Sequence, residues 1–292
     1  MAKIAVEPAS PSAAPPAGKL LAEGDGWTVF DVVCTAGPRD RPFEERHARA
    51  SIAIVVSGTF QYRSAAGREL MTPGSLFLGN HGQCFECGHE HGTGDRCVSF
   101  SYAPEFFERL ASDAGGGEPF RHLRLPPIRP LAPIVSRAAA ALAGPADRPW
   151  EELAVEIAAQ AVQLDRGLSP RTSTAGAGAE ARVTQAVRRM ERHPEDSYPL
   201  EILAREARLS PYHFLRTFEA RTGATPHQYL LRLRLRCAAL RLSAESTKIV
   251  DIALDCGFGD VSNFTRTFRA EFGVSPRAYR VRGADCQSAA GC

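Results

Sequence analysis

Two stretches of the chain hold residue types that can do chemistry. The first is Cys84-Phe-Glu-Cys-Gly-His-Glu-His-Gly-Thr-Gly-Asp-Arg-Cys97, three thiols and two imidazoles at the spacing C-x2-C-x-H-x-H-x5-C. Read as strand, turn and strand, it projects Cys87, His89 and His91 from one face by the two-residue period, and the turn at 92–95 returns Cys97 beside them. Cys84 points the other way unless a bulge intervenes. Such soft ligands suffice for a tetrahedral zinc or copper(I) site. A thiol at Cys87 next to a cationic imidazole would instead have a lowered pKa and be reactive, with Cys84 or Cys97 as its oxidation partner. The third reading is a barrel interior lined by small thiols and hydrogen-bonded histidines, and the residues leave all three open. His47 is a further candidate for the cluster.

The second stretch, Cys256-Gly-Phe-Gly-Asp-Val-Ser-Asn-Phe-Thr-Arg-Thr-Phe-Arg-Ala-Glu-Phe-Gly273, crowds four phenylalanines and two arginines together. A helical projection at about 100° per residue separates them. With Phe264 at zero, Phe268 falls near about 40° and Glu271 near about 340°, whereas Arg266 lies near about 200°, with Ser262, Thr265 and Arg269 between about 100° and 160°. Phenylalanines and arginines therefore occupy opposite faces. An outward face of Arg, Ser and Thr suits base edges, because a guanidinium can bond both acceptors of guanine.

The same pattern occurs twice. Phe214, Arg216, Thr217, Phe218, Ala220, Gly223, Pro226 and Tyr229 recur fifty residues later as Phe264, Arg266, Thr267, Phe268, Ala270, Gly273, Pro276 and Tyr279. Upstream, Leu203-Ala204 and Leu209 match Ile252-Ala253 and Phe258 at an offset of 49, so one turn is a residue longer. Each unit reads as a short helix, a turn and a capped second helix, with Ser210-Pro211 and Asp260 as the caps. That is the plan of a helix-turn-helix, whose second helix enters a major groove. In the first unit the projection turns Tyr212, Leu215, Arg216 and Glu219 outward, with His213 on the flank; an exposed Leu215 there would suit a thymine methyl. A long helix from 227 to about 243 joins the units and carries Arg232-Leu-Arg-Leu-Arg236. It would hold the reading helices at a fixed separation, and two helices about 34 Å apart would meet successive major grooves.

The elements around these stretches divide the chain. A lead-in at 1–20, a linker at 169–179 and a tail at 283–292, which holds Cys286 and Cys292, are too rich in small and polar residues to order themselves. Between them lie bodies at 21–168 and 180–282. The first shows short strands at 27–33, 51–56, 59–63, 75–79, 84–91 and 97–102, then helices at about 131–142 and 150–164. The second is helical throughout, with Cys237 and Cys256 as buried small thiols. Residues 180–282 hold 18 Lys and Arg against 12 Asp and Glu, so the helical body is the basic one and suits a polyanion. No apolar run is long enough for a membrane helix, no signal peptide is evident, and eight cysteines in an unexported chain argue for free thiols.

The run Ile249-Val-Asp-Ile-Ala-Leu-Asp-Cys-Gly-Phe258, followed by Phe264, Phe268, Phe272-Gly273, Pro276 and Tyr279-Arg280, resembles the signature of AraC/XylS transcription regulators over about residues 183–282. The resemblance implies an α+β chain of two domains. An N-terminal cupin-like β-barrel with trailing helices would sense an effector or mediate dimerisation, and an all-α domain of two helix-turn-helix units joined by a long helix would bind DNA. It implies a reading role for Tyr212, Arg216, Val261, Ser262, Thr265 and Arg266, to which the projections add His213, Leu215 and Arg269. The implied partners are double-stranded DNA and RNA polymerase, with a small-molecule or metal effector, a homodimer and no membrane, in a cytoplasmic activator. The usual cupin metal motif is not evident, so no cupin enzyme chemistry is carried across. The rival classes are a metal-binding cupin-like enzyme fused to a DNA-binding domain and a protein-interaction adaptor.

Overall fold

The computed structural model describes residues 17–90, 92–116, 120–143, 150–168 and 177–281. Ten strands come first: β1 (Ala17–Gly24), β2 (Trp27–Cys34), β3 (Phe43–Arg46), β4 (Ala50–Gly58), β5 (Phe60–Ser64), β6 (Gly67–Met71), β7 (Leu76–Gly79), β8 (Cys84–Gly88), β9 (Asp95–Tyr102) and, after helix α1 (Pro104–Asp113), β10 (Arg124–Leu125). They form two antiparallel sheets, one ordered β1-β2-β9-β4-β7-β10 and the other β3-β8-β5-β6. Helices α2 (Ala132–Ala143) and α3 (Trp150–Gly167) follow.

Alternation along β4 explains why the larger sheet is buried on both sides. Ala53 and Val55 face the smaller sheet and pack with Phe60, Tyr62, Met71 and Phe85. Ile52 and Ile54 face the other way, into a core closed by Ile134 and Val135 of α2 and Leu153, Ala154 and Ile157 of α3. Residues 52–56 of β4 accordingly read as an unbroken apolar run. The space between the sheets is filled by rings: His47 stacks on Phe85 with centroids 4.1 Å apart, and its Nε2 meets the Tyr62 hydroxyl at 2.7 Å. Burial pushes the His47 pKa down to about 4. This histidine is a neutral core residue and takes no part in a thiol cluster.

The helical domain comprises α4 (Ala177–Arg192), α5 (Leu200–Glu206), α6 (Pro211–Thr222), α7 (Pro226–Ala244), α8 (Ile249–Asp255) and α9 (Val261–Phe272). Two cores divide it. Val183, Val187 and Met190 of α4 pack with Phe214, Phe218 and Tyr229, and with Leu70 from β6. Leu235, Ala238 and Leu242 of α7 pack with Ile252, Phe258, Phe264 and Phe268, and with Ala132 from α2. Each helix-turn-helix core thus receives one side chain from the sheet domain. Among the described residues no helix is long and apolar enough to cross a membrane.

Sequence periodicity passes over β1, β3, β6, β10 and α1. Strand β1 begins at Ala17, inside the stretch expected to be a disordered lead-in. Its Leu20 is exposed at the sheet edge, so burial left little periodic trace there. Strand β6 carries the charged pair Arg68-Glu69, whose side chains are held by ion pairs rather than by an apolar face. The tail with Cys286 and Cys292, and residues 1–16 and 169–176, lie outside the described residues.

Candidate nucleic-acid interface

Each reading helix begins and ends on a device visible in its residues. The Ser210 hydroxyl accepts from the His213 N–H at 3.3 Å, with Pro211 at the first helical position; the Asp260 carboxylate accepts from the Asn263 N–H at 2.9 Å. Both helices stop at a left-handed glycine, Gly223 at φ 80° and Gly273 at φ 74°. The two turns open with the same pair of backbone bonds. Arg208 N–H donates to the Arg205 carbonyl at 2.9 Å and Leu209 N–H to that of Ala204 at 2.9 Å; 49 residues on, Gly257 donates to Leu254 at 2.8 Å and Phe258 to Ala253 at 3.0 Å.

Burial then sorts the faces. Phe214, Phe218, Phe264 and Phe268 are wholly buried. Tyr212 is 66% exposed, and His213, Arg216, Ser262, Thr265, Arg266 and Arg269 are exposed with it. Val261 is half-buried. Leu215, expected to be exposed, is also half-buried, whereas Thr265 at the equivalent position of α9 is exposed. The outward arginines are lightly held: Arg216 lies 4.0 Å from the Glu219 carboxylate, and Arg266 donates to the Asn263 side-chain oxygen at 3.0 Å.

Helix α7 has 19 residues, about 28 Å of rise, and separates the two units. Its arginines are not a DNA-facing patch. Arg232 donates to the Pro127 carbonyl at 2.8 Å, Arg236 to Pro73 at 2.8 Å, and Arg234 to the carbonyls of Pro194 and Asp196 at 2.6 and 2.8 Å. Part of the basic excess read from the sequence is therefore spent inside the molecule, on backbone oxygens at turn ends. The exposed cations that sequence reasoning passed over are Arg205 and Arg208 at the first turn, Lys248 before α8, and Arg277 after α9. Their signal was position, next to a turn or a helix start, where backbone N–H groups and cations meet phosphate.

The sheet domain grips both units. Glu271 of α9 is buried between Arg129, 3.3 Å away, and Arg232, 3.6 Å away. On α4, Arg188 donates to the hydroxyl of Thr59 at 2.7 Å and to the carbonyls of Thr93 and Gly94 at 2.8 and 3.0 Å, and Glu191 accepts from the Gly58 N–H at 2.7 Å. The buried Glu180 carboxylate takes Arg68 at 2.8 Å and Arg221 at 3.4 Å.

The thiol and imidazole stretch is built differently from its reading as one hairpin face. Strand β8 ends at Gly88, so His89 lies beyond the strand and the two-residue period does not carry to it; His91 lies outside the described residues. Cys84 is exposed, whereas Cys87 packs against the core between the sheets and Cys97 is buried in it. The Cys97 thiol lies 3.4 Å from Asp95 Oδ2, whereas Cys84 faces solvent. Among the described residues the group that does converge is Cys34, His89 and Asp95, with ligand atoms within 4.8 Å of one another. Burial, then the Asp95 and Glu45 charges, push the Cys87 thiol well up, the reverse of the lowered pKa that a cationic neighbour would give. Burial alone would lower the His89 pKa, but hydrogen bonds to Asp95 and Cys34 outweigh it and raise it to about 9. Elsewhere, Cys256 is buried and Cys237 half-buried on the facing helix.

Two domain families match the chain. One is described as a helix-turn-helix domain and covers residues 203–282; the other, an AraC-like ligand binding domain, covers residues 33–162. Among curated relatives, the HTH-type transcriptional activator RhaS of Mannheimia succiniciproducens is 34% identical over 102 residues, which is 35% of this chain and 38% of the relative. The matches thus span well under two thirds of such relatives. Among solved structures, the DNA-binding domain of AdpA in complex with a target DNA is 30% identical over 35% of this chain and 91% of its own, with a TM-score of 0.34. ToxT from Vibrio cholerae is 14% identical over 88% of this chain and 98% of its own, with a TM-score of 0.38.

Proposed function

We propose that the chain is a sequence-specific DNA-binding regulator of the AraC type whose two outward helix faces read two blocks of one operator. The observation that carries the reading is the paired sorting of α6 and α9. In both, phenylalanines are wholly buried while an arginine at the same helical position is exposed on the outer face. A lone exposed arginine is ordinary surface. Two at equivalent positions, each on a capped helix with the same turn before it, suit two major grooves on one side of a duplex.

Within this reading Arg216 and Arg266 bond base edges, and Tyr212, His213, Ser262, Thr265 and Arg269 complete the two faces. Half-buried Leu215 and Val261 offer apolar edges beside them. Arg205, Arg208, Lys248 and Arg277 take phosphates and set the register. RNA polymerase is the protein partner at the promoter, and activation is the sense of regulation, as in the name borne by the RhaS relatives. A signal received by the sheet domain, as a bound effector or a change in self-association, would act on DNA binding through α4 and Glu271, where that domain holds both units. A DNA partner puts the protein in the cytoplasm.

The test is enrichment of bound duplexes from a random pool by the full-length chain. The regulator reading expects a bipartite motif with block centres about 10 base pairs apart. A protein-interaction adaptor would enrich no sequence, and that result would refute the proposal.

A further inference from the structure

We propose that Cys34, His89 and Asp95 form a binding site for a zinc-class divalent cation, placed so that its occupancy is felt by α4. Cys34 at the end of β2 and Asp95 at the start of β9 are direct partners in the antiparallel register, so their side chains leave the sheet on the same face. The next pair on that face, Val32 and Cys97, belongs to the core between the sheets, which makes the face the inner one. His89 arrives from the opposing sheet, just past β8, and its Nε2 lies 2.6 Å from Asp95 Oδ1. Cys34 and His89 are buried and Asp95 is half-buried.

The donor set selects the ion. Thiolate, imidazole and carboxylate together suit zinc and its cobalt surrogate; copper(I) favours sulfur and nitrogen without carboxylate, and magnesium or calcium would require mostly oxygen. Bonds of about 2.0–2.3 Å place tetrahedral ligands about 3.3–3.8 Å apart. The three atoms, within 4.8 Å of one another, reach that geometry by modest shifts, with His89 and Asp95 opening and the widest pair closing. Two anionic ligands neutralise the cation, which limits the cost of burying it. The Cys97 thiol, 3.4 Å from Asp95 Oδ2, would hold the second carboxylate oxygen and orient the first. Three protein ligands leave a fourth position for water or an effector donor.

The site adjoins the contacts that hold the DNA-binding domain. Gly94, the residue before Asp95, gives its carbonyl to Arg188, as does Thr93. Gly58, the β4 partner of Asp95, gives its N–H to Glu191. Arg188 and Glu191 lie on α4, whose Val183, Val187 and Met190 form the core of the first helix-turn-helix unit. Moving Asp95 onto a cation shifts the very backbone that α4 is tied to. The binding of the cation stands independently of DNA; only its regulatory meaning rests on the regulator reading.

The test uses reduced, metal-free, full-length protein titrated with Co²⁺, the spectroscopic surrogate for zinc. Expected are one equivalent bound per chain, a thiolate-to-cobalt charge-transfer band, the intense visible bands of a tetrahedral site, and displacement by one equivalent of Zn²⁺. Cys34→Ser removes the charge-transfer band, and Asp95→Asn, which keeps the size of the side chain, weakens binding at least about ten-fold. Cys84→Ser leaves the spectrum unchanged. Absence of the band in the wild-type protein, its survival in Cys34→Ser, or its loss in Cys84→Ser overturns the site. Amide exchange with and without Zn²⁺ then reads α4: a several-fold change in the wild type that disappears in Arg188→Ala supports the transmission, and unchanged exchange at saturating Zn²⁺ overturns it.

Discussion

The two helix-turn-helix units are built from one pattern and held in two ways. The first rests on α4 and takes Leu70 from β6 into its core; the second rests on α7 and takes Ala132 from α2. The first turn forces Arg208 to φ 53°, whereas the second puts Gly257 at φ 84° in the equivalent place. Their phenylalanine cores are alike, their outer faces share Arg216 and Arg266 but differ at Tyr212/Ser262, Leu215/Thr265 and Glu219/Arg269, and their supports differ. The repeat therefore conserves the core and one outward arginine, while the sheet domain has separate handholds on each unit, Arg188 and Glu191 on one side and Glu271 on the other.

The largest effects should come from the shared core. Phe218→Ala and Phe268→Ala each remove a wholly buried ring and are expected to cost about 3–5 kcal/mol in urea unfolding. Equal costs would mean that the units are equally well packed despite their different supports; a loss confined to one would break that equivalence.

The turns come next and should respond unequally. A Cβ on Gly257 would lie 2.8 Å from the Glu195 backbone, at a positive φ besides, so Gly257→Ala should destabilise by about 1–3 kcal/mol. Arg208→Gly relieves a strained backbone and gives back unfolded-chain entropy, so its stability should stay within about 1 kcal/mol of wild type. Thermal unfolding of the two variants measures the difference, and equal losses would contradict the assignment of strain. Smallest are the caps: Ser210→Ala and Asp260→Ala should each cost about 1 kcal/mol, with Asp260→Ala the larger because its carboxylate also faces the helix dipole.

How much of this was legible follows from where each residue's constraint lies. The helical repeat was fully readable, because caps, phenylalanine spacing and terminal glycines are local and occur twice. Leu215 was misplaced because a projection gives an angle and not the depth at which neighbours cover it. The arginines of α7 count toward the basic excess of the helical body, yet Arg232, Arg234 and Arg236 bind carbonyls 38 to 163 residues away in sequence. No local pattern could pair them. The Cys/His stretch is legible in part for the same reason. His89 lies in the converging group and Cys97 beside it, but the thiol that completes the group is Cys34, brought there by strand pairing from 55 or more residues upstream.

The central claim is that the two outer faces read separate blocks of one site, and its most direct test is base preference rather than affinity alone. Arg216→Ala and Arg266→Ala, compared with wild type by sequencing duplexes bound from a randomised pool, should each relax preference in one block and leave the other intact. Each should lose about 1–3 kcal/mol of discrimination at its own position. If both substitutions weakened binding uniformly across all sequences, or changed nothing, the arginines would be phosphate contacts or solvated surface and the account would be wrong.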